Sequence, residues 1–487
     1  MNSKDFREIP YNYTSADDKT IINIIFGPKM WEALHNLRHK RVTGRSARLL
    51  FRMIGDLFIF FRNPFLYQEL ITDIKRRRKL FRDIGNDLEI LRGGAEADPE
   101  VKEVLDIFSN RIKKFRKEIF ASAAFQRKLK SALGSIIGRE NVNFEPFDLV
   151  SHSTDATDWR LFTPLAVCTP SNKDKIAPLL KKIADLGLHA LPRGAGTGLT
   201  GGAVPLSGKC VMINTEKLCG IEKIRKEKFR QSDGTVMTVH TVKAESGAVT
   251  DTVINYCRKE DLVFATDPTS SWACTIGGNI SENAGGKAAV RWGTAIDNIL
   301  SYSMALSSGR TIKITRQNHP LKKIQPEDTV TFKIDEEGRK SSFISLKGSD
   351  VRKNGLWKDI TNKYLGGLPG LQKEGTDGVI LDGEFVLYPA YSERRTLCLE
   401  FFGPDMDEAG RVINEICSAF PTGTQEALTA MEHFDDQYIK AIGYKVKSSR
   451  GRLPKAVLLI DISGHNPEQT KRGVQLCVDI LGKHKNT

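Results

Sequence analysis

The sequence predicts an α+β protein with a helical first third, a mixed middle and an α/β tail. Apolar residues recur every three or four positions through residues 1–150, which is typical of helices. Glycine-rich connections separate short strand-like runs after residue 150, and strand-like and helix-like runs alternate from residue 395. A chain of 487 residues is long enough for about three domains. We expect boundaries that give segments 1–150, 160–391 and 392–487.

The composition is that of a globular chain, with 40% hydrophobic and 27% charged residues. The basic excess is concentrated at the start. Residues 1–150 contain 28 Lys and Arg against 20 Asp and Glu, whereas the rest of the chain contains 45 against 39. This excess suggests a phosphate-rich ligand, an anionic membrane face or an acidic partner. A solvated basic helix face is an equally good reading.

The cysteines indicate a reducing compartment. Eight are scattered along the chain and none forms a CxxC pair, which argues against a zinc ribbon, an iron–sulfur cluster within this chain, or a secreted disulfide scaffold. The chain opens on polar sequence rather than a signal peptide, and its most apolar run, 57–61, is too short to span a bilayer. We expect a cytoplasmic protein, with peripheral attachment to the inner membrane left open.

The periodicity of the first third predicts helices over residues 21–26, 31–37, 49–61 and 101–133. His35 and His39 lie one helical turn apart, but no third ligand accompanies them, so we expect no metal site. We expect Phe58, Phe60 and Phe61 in a core rather than in a membrane anchor.

The middle and the tail carry further elements. We expect a helix that Pro170 and Ser171 open and Gly187 ends, with its first apolar position at Ile176, and a second helix over 248–259. Strands are expected over 188–191, 210–214 and 235–242. The tail predicts a strand at 396–402, a helix at 406–419, a strand at 456–461 and a helix at 467–481.

The strongest chemical signal is the glycine-rich loop at residues 192–205, PRGAGTGLTGGAVP. Its glycines allow close approach of the backbone to a ligand, and consecutive N–H groups form a concavity that fits a diphosphate. The loop contains the spacing GxGxxG, but Gly201, Gly202 and Pro205 block the helix that a Rossmann fingerprint must open. A P-loop is excluded because Cys210 stands where Ser or Thr is required. A purely structural turn is the remaining alternative.

A second glycine-rich region follows at residues 267–286, and it combines glycine pairs with hydroxyl and amide side chains. Two shorter segments, RWGT at 291–294 and EGTDGVI at 374–380, have the same character. Glycine-rich segments spread over so much of the chain suggest one long ligand that lies across several loops.

These motifs, with AESGAV at 244–249, resemble the FAD-binding PCMH-type domain of the vanillyl-alcohol oxidase superfamily. The most similar branch contains D-lactate dehydrogenase, 2-hydroxyglutarate dehydrogenase and the FAD subunit of glycolate oxidase. The resemblance covers about 160–390 and implies a two-subdomain fold. It implies that the first loop binds the FAD diphosphate and that the second region lines the flavin.

The resemblance implies the following FAD-binding residues: Pro192, Arg193, Gly194, Ala195, Gly196, Thr197, Gly198, Glu245, Gly247, Asp267, Pro268, Ser271, Thr275, Gly277, Gly278, Asn283, Gly285, Gly378 and Val379. Members with covalent flavin often carry a His in the first loop. Here Gly196 occupies that position, so we expect non-covalent FAD.

Three further features depart from or extend the pattern. The stretch between Gly309 and Gly375 is long and polar, and we expect an inserted loop there. Residues 43–48 and 62–64 resemble an extension of unknown function that precedes this domain in large bacterial FAD and iron–sulfur oxidoreductases. The segment from 392, which includes 428–435, resembles the start of the substrate-binding cap. The His-rich motif that supplies the metal ligands and base of the family is absent, so we expect a fragment or truncated form.

The resemblance implies an FAD-dependent oxidoreductase that oxidises a 2-hydroxy acid by hydride transfer and passes electrons to a carrier protein or iron–sulfur module. No catalytic base is assigned, because His433 and His465 are isolated in the sequence. The alternative is a flavin-binding module of a larger assembly, without turnover of its own. We do not expect nucleic acid to be the main partner.

Overall fold

The computed structural model describes residues 18–39, 45–94, 99–230, 234–421 and 424–486. Its contacts group into two compact units. The first contains the described residues of Met1–Thr169 together with Lys182–Leu191 and Leu199–Asn214. The second contains Pro170–Lys181, Pro192–Gly198 and the described residues of Thr215–Thr487. Among the helices of these ranges, none has both the length and the apolar character that crossing a membrane requires.

The described part of the first unit begins with six helices. They are α1 (Asp18–Phe26), α2 (Pro28–His39), α3 (Arg45–Arg62), α4 (Pro64–Thr72), α5 (Ile74–Gly94) and α6 (Pro99–Ile137). The periodicity predicts α1, α2, α3 and α6, whereas α4 and α5 were not predicted individually. Asn63 begins α4, because its Oδ1 accepts hydrogen bonds from the backbone N of Phe65 and Leu66 and Pro64 follows it at the first helical position. The apolar faces pack into one core, against which Phe58, Phe60 and Phe61 lie partly buried. The expectation that these rings are core residues is therefore confirmed.

The pair His35 and His39 and the 43–48 segment fall partly outside the described residues. The side chain of His39 is not described, and neither are residues 40–44. Across the ranges that the structure describes, no group of three His, Cys, Asp or Glu side chains could hold a metal ion.

A small four-stranded sheet follows the helices along the chain. Its elements are β1 (Val142–Asn143), α7 (Pro146–Ser151), β2 (Ala166–Cys168), α8 (Ile176–Asp185), β3 (His189–Arg193) and β4 (Cys210–Asn214), in the strand order β1-β2-β4-β3. β2 and β4 are parallel, and β1 runs antiparallel to β2. Leu149, Val167 and Met212 form its apolar centre. Helix α8 and strands β3 and β4 confirm the elements expected there.

The second unit is built on an eight-stranded sheet in which every strand pairing described is antiparallel. Its elements are β5 (Arg225–Arg230), β6 (Val236–Glu245), α9 (Thr250–Arg258), β7 (Leu262–Val263), α10 (Ile276–Glu282), α11 (Ala289–Trp292), α12 (Ala295–Asn298), β8 (Ile299–Ala305), β9 (Thr311–Arg316), β10 (Thr329–Glu336), β11 (Ser342–Lys347) and β12 (Val379–Pro389). The path is β11-β10-β9-β8-β12-β6-β5, and β7 pairs with β12. One core joins the sheet to α9, α10 and α12.

The polar stretch between Gly309 and Gly375 is not a loop, and this expectation was wrong. It contains β9, β10 and β11, which form one end of the large sheet. We missed these strands because the stretch is strongly polar and only part of each strand is buried. In β10, Val330 and Phe332 are buried while Thr329 is exposed.

The tail forms a separate three-stranded sheet in the order β13-β15-β14. Its elements are β13 (Glu393–Phe401), α13 (Asp407–Ala419), β14 (Ala427–Asp435), α14 (Asp436–Ala441), β15 (Ala456–Gly464) and α15 (Pro467–Leu481). The four expected elements are confirmed, but β14 and α14 were missed. β14 combines small and polar residues, and its register shifts between Leu428 and Ala430, so its alternation is broken.

Candidate functional site

The glycine-rich loop begins directly at the end of β3. The carbonyl of Arg193 accepts a hydrogen bond from the backbone N of Thr215 at 3.0 Å, which holds the start of the loop. Gly196 has φ +69°, a conformation that favours glycine. Residues 194–209 contain no helix. This confirms the rejection of a Rossmann fingerprint, which requires a helix immediately after its glycines.

Helix α10 is the structural centre of the second glycine-rich region. Thr275 caps its start, and its Oγ1 accepts from the backbone N of Gly278 at 3.4 Å. Asn283 ends the helix in the left-handed conformation, with φ +51°. The Oδ1 of Asn283 accepts from the backbone N of Ile296 at 2.8 Å, which ties the helix end to α12. The TIGGNISEN sequence therefore forms a short, doubly anchored helix.

Three predicted segments, far apart in sequence, converge on α10. A Cβ at Gly194 would overlap Oγ1 of Thr275, and one at Gly198 would lie 3.3 Å from Oε1 of Glu282. The glycine loop therefore lies against both ends of α10. The EGTDG segment also contacts α10, because the backbone N of Glu374 donates to the carbonyl of Ser281 at 2.9 Å. It meets the glycine loop as well, since a Cβ at Gly375 would overlap Pro192.

The turn after β6 supports α10 from another side. The carbonyl of Ser246 accepts from the backbone N of Gly277 at 2.8 Å, and the backbone N of Ser246 donates to Leu381 in β12 at 3.0 Å. A Cβ at Gly277 would lie 2.7 Å from Cβ of Ser246, so this helix position has room only for glycine. Gly247 is equally restricted, since its Cβ would overlap the carbonyl of Thr215.

The segment 267–271 lies beside the chain that leaves α10. Oδ1 of Asp267 accepts from the backbone N of Ala288 at 3.1 Å, and a Cβ at Gly286 would overlap the carbonyl of Asp267. The carbonyl of Pro268 accepts a hydrogen bond from the backbone N of Ser271 at 2.8 Å. The carbonyl of Ser271 accepts one from the backbone N of Asp251 at 2.9 Å.

Some of the predicted residues make their described contacts away from the glycine loop. The Glu245 carboxylate accepts from the backbone N of Gly220 at 3.0 Å. Gly378 and Val379 lie at the start of β12, next to Ala305 of β8. Ala195 is exposed, and Thr197 and Gly285 are half-buried. The assignment of these and of all the other predicted residues to the cofactor stays a prediction.

Sequence reasoning predicted Asn283 but missed Ser246 and Thr266, which share one property with it. Oγ of Ser246, Oγ1 of Thr266 and Nδ2 of Asn283 are buried, and each lacks a hydrogen-bond partner among the described residues. Buried polar atoms are costly unless a partner satisfies them. Ser246 stands inside AESGAV and Thr266 directly precedes Asp267, so their positions within the motifs are the only signal that marks them.

Burial raises the pKa of Asp267 to about 7. The Ala288 N–H and the Lys287 cation oppose this rise, and the Glu432 carboxylate of β14 adds to it. Because the pKa in the folded state exceeds that of the unfolded chain, the protonated carboxyl stabilises the fold at low pH. That contribution decreases as the pH rises through about 7.

We therefore expect Asp267→Asn to flatten the pH dependence of stability. Between pH 5 and 8, the free energy of unfolding of the flavin-free wild type should decrease by about 1–3 kcal/mol more than that of the variant. Urea unfolding at several pH values measures the difference. Asp106→Asn, at an exposed position of α6, serves as the control and should track the wild type. A wild-type profile in the Asp267 variant would contradict the prediction.

A buried ion pair holds the segments that follow α10. Asp297 and Arg352 are almost fully buried, and two hydrogen bonds of 3.0 and 3.2 Å join their side chains. Asp297 also accepts from the backbone N of Thr294 and Ile324, at 2.7 Å each. The pair therefore connects α12, which Asn283 contacts, to two segments of the 309–375 stretch.

Residues 164–315 match the family described as FAD binding domain. Residues 164–315 form an FAD-binding domain. It is of the PCMH type, as the resemblance implied, and its cofactor is FAD. Residues 4–117 match a family described as a protein of unknown function (DUF3683).

Curated relatives share this domain. The chain is 24% identical to the glycolate oxidase subunit GlcD of Bacillus subtilis, over 69% of this chain and 60% of that protein. It is 28% identical to the D-2-hydroxyglutarate dehydrogenase of Xanthomonas citri pv. viticola, over 35% of this chain and 34% of that protein. The D-lactate dehydrogenase of Archaeoglobus fulgidus is 24% identical, over 58% and 50%. The chain thus covers at most 60% of the length of these three relatives.

Among solved structures, an alkyldihydroxyacetonephosphate synthase is 14% identical to the chain. Its TM-score is 0.49, over 71% of this chain and 57% of that chain.

The expected α+β class, with a helical first third and an FAD-binding domain, is confirmed by the elements themselves and by the family match.

The residues of the FAD-binding domain fit the cofactor. The three buried polar atoms at Ser246, Thr266 and Asn283 lack hydrogen-bond partners within the described part of the chain, and a flavin offers carbonyl oxygens and ring nitrogens that could satisfy them. Gly198 and Gly278 leave side-chain space open beside the loop and α10, since only one residue lies within 4 Å of a Cβ built at either glycine. The exposed Lys358 also places its Cε 3.3 Å from a Cβ built at Gly285, which adds a cation for a diphosphate or an acidic substrate.

Proposed function

We propose that this chain is the flavin-binding part of an FAD-dependent oxidoreductase that oxidises a 2-hydroxy acid. The convergence of the glycine loop, the Ser246 turn and the EGTDG segment on α10 carries the proposal. The three relatives support the substrate class, since their names specify glycolate, D-2-hydroxyglutarate and D-lactate. When bound, FAD supplies the hydride-accepting chemistry.

The chain's own residues bind and orient the cofactor in this proposal. The backbone of Arg193 to Gly198 holds the diphosphate, with Lys358 as a neighbouring cation. Ser246, Thr266 and Asn283 hydrogen-bond the flavin and fix its position. Two hydrogen bonds keep these groups in place before the cofactor binds. The backbone N of Thr215 donates to the carbonyl of Arg193, and the backbone N of Ile296 donates to Oδ1 of Asn283.

The proposal includes an electron acceptor, either a carrier protein or an iron–sulfur module. It also places the protein in the cytoplasm, with peripheral attachment to a membrane. All eight cysteines are free, which supports a reducing compartment.

Anaerobic reduction of the flavin tests the proposal. We expect the purified chain, reconstituted with FAD, to show flavin absorption bands that D-lactate, glycolate or D-2-hydroxyglutarate bleaches only slowly, because the His-rich segment that supplies the base of the family is absent. L-Lactate and succinate are the controls. A colourless protein that takes up no FAD would refute the proposal. A yellow protein that none of the hydroxy acids reduces would favour the alternative of a module without turnover.

We expect the FAD to be releasable. Gly196 offers no side chain for a covalent bond to the flavin, and a Cβ at this position would overlap the Arg193 guanidinium. Precipitation with acid should leave the flavin in the supernatant, where its fluorescence quantifies it against the protein. A pellet that stays yellow after washing would show a covalent link and contradict this expectation.

A further inference from the structure

Helix α6 exposes an apolar patch between two groups of cations. The α6 patch consists of Phe120, Ala121, Ala124 and Phe125, all of which are exposed. The two phenyl side chains are 42% and 37% exposed. These four residues lie within one broad stripe of the helix, because their positions differ by one, four and five residues. An exposed apolar patch of this kind points to a binding surface.

The flanking cations occupy the same side of α6. Lys113, Lys114, Arg116 and Lys117 precede the patch, and Arg127 and Lys128 follow it, all exposed. Glu118 is the only acid between residues 110 and 131, and it pairs with Arg111 at 3.1 Å. The exposed surface is therefore strongly positive on both sides of an apolar centre.

Helix α5 adds to the positive charge. The buried Arg77 guanidinium lies 4.9 Å from the centroid of Phe120 and donates to the carbonyls of Leu70 and Ile71 at 3.1 and 2.9 Å. Burial lowers the pKa of Arg77, and the charges of Arg127 and Arg78 lower it further, so both cations lie near Arg77. Phe120 is thus held in place by its own unit, while its outer edge stays accessible.

We propose that the α6 patch and its flanking cations dock on a bilayer that contains anionic phospholipids. Phenyl rings enter the boundary between headgroups and acyl chains, while long Lys and Arg side chains keep their charges with the phosphates. A cluster of six cations is of the size that binds anionic lipid. Charge complementarity alone would also fit nucleic acid, but a duplex offers no apolar layer for Phe120 and Phe125. The inference gives a surface to the membrane attachment named under the proposed function and rests on that part of it alone.

Vesicle sedimentation tests the proposal with the full chain loaded with FAD. We expect binding to vesicles of phosphatidylcholine with about 30% phosphatidylglycerol, none to phosphatidylcholine alone, and loss of binding when NaCl is raised from 0.1 to 0.5 M. Arg127→Glu combined with Lys128→Glu should weaken partitioning at least tenfold. Phe125→Ser should weaken it roughly fivefold, since it removes one apolar anchor.

Lys340→Glu combined with Lys471→Glu is the matched control, because both lysines are exposed in the second unit and the charge change is the same. This control should bind like the wild type. Equal binding by the two double variants, or binding to vesicles without anionic lipid, would overturn the proposal. So would tighter binding to a duplex oligonucleotide than to the anionic vesicles. The flavin content of each sample is read separately, so loss of FAD binding and loss of vesicle binding are distinguished.

Discussion

Gly198→Asp should lose FAD, with binding weakened about a hundredfold or more. The new carboxylate would lie near Oε1 of Glu282, which is 3.3 Å from the position of the added Cβ. In the binding mode proposed above it would also face the diphosphate. Two like charges about 4 Å apart repel by roughly 4 kcal/mol at an effective dielectric constant of 20. Titration of the flavin-free protein with FAD, followed by flavin fluorescence, measures the effect.

Gly198→Ala is the matched control for this variant. Its Cβ meets only the flexible end of Glu282, and the backbone of Gly198 is not in the left-handed region. It should therefore retain FAD, because the effect of the Asp variant comes from charge rather than from lack of space. If Gly198→Asp keeps stoichiometric FAD, the loop does not hold the diphosphate.

Arg352→Met should destabilise the fold by about 3–5 kcal/mol, because it leaves the Asp297 carboxylate buried without its cation. Because methionine fills much of the space of arginine, the loss of stability results from the missing charge rather than from a cavity. Thermal or urea unfolding of the flavin-free protein measures the change.

Lys440→Met is the matched control. It removes the cation of a surface ion pair in which Nζ of Lys440 lies 2.8 Å from Oδ2 of Asp436, a distance similar to that in the buried pair. Exposed pairs within one helix contribute only about 0.3–0.5 kcal/mol, so this variant should stay close to the wild type. Equal stability of the two variants would show that the Asp297 pair contributes no more than a surface pair.

Local sequence was sufficient for most single elements. Helices α1 to α3 and α6 follow from their apolar spacing, and Gly187 with φ +68° marks the turn after α8. The rejection of a Rossmann site also needed only local reasoning, because Gly201, Gly202 and Pro205 prevent a helix. These features depend on neighbours a few residues apart, which the sequence displays directly.

Strands with one solvent-facing side were harder to predict. β10 and β14 lack the continuous apolar run that would mark them, and their strand character comes from pairing with residues elsewhere. For the same reason, we expected a loop over 309–375, where the structure has β9, β10 and β11.

The sequence by itself determined the chemistry of the site: a glycine-rich loop for a diphosphate, a second region rich in amide and hydroxyl groups, and an FAD-binding family. Only the tertiary structure decided which of these parts meet. It placed Gly194 against Thr275 and Pro192 against Gly375, and it joined Asp297 to Arg352, which lies 55 residues further along the chain. It also left polar atoms of Ser246, Thr266 and Asn283 buried, with no hydrogen-bond partner among the residues that the structure describes. Such relations depend on how distant segments pack, and no local pattern encodes the distance between them.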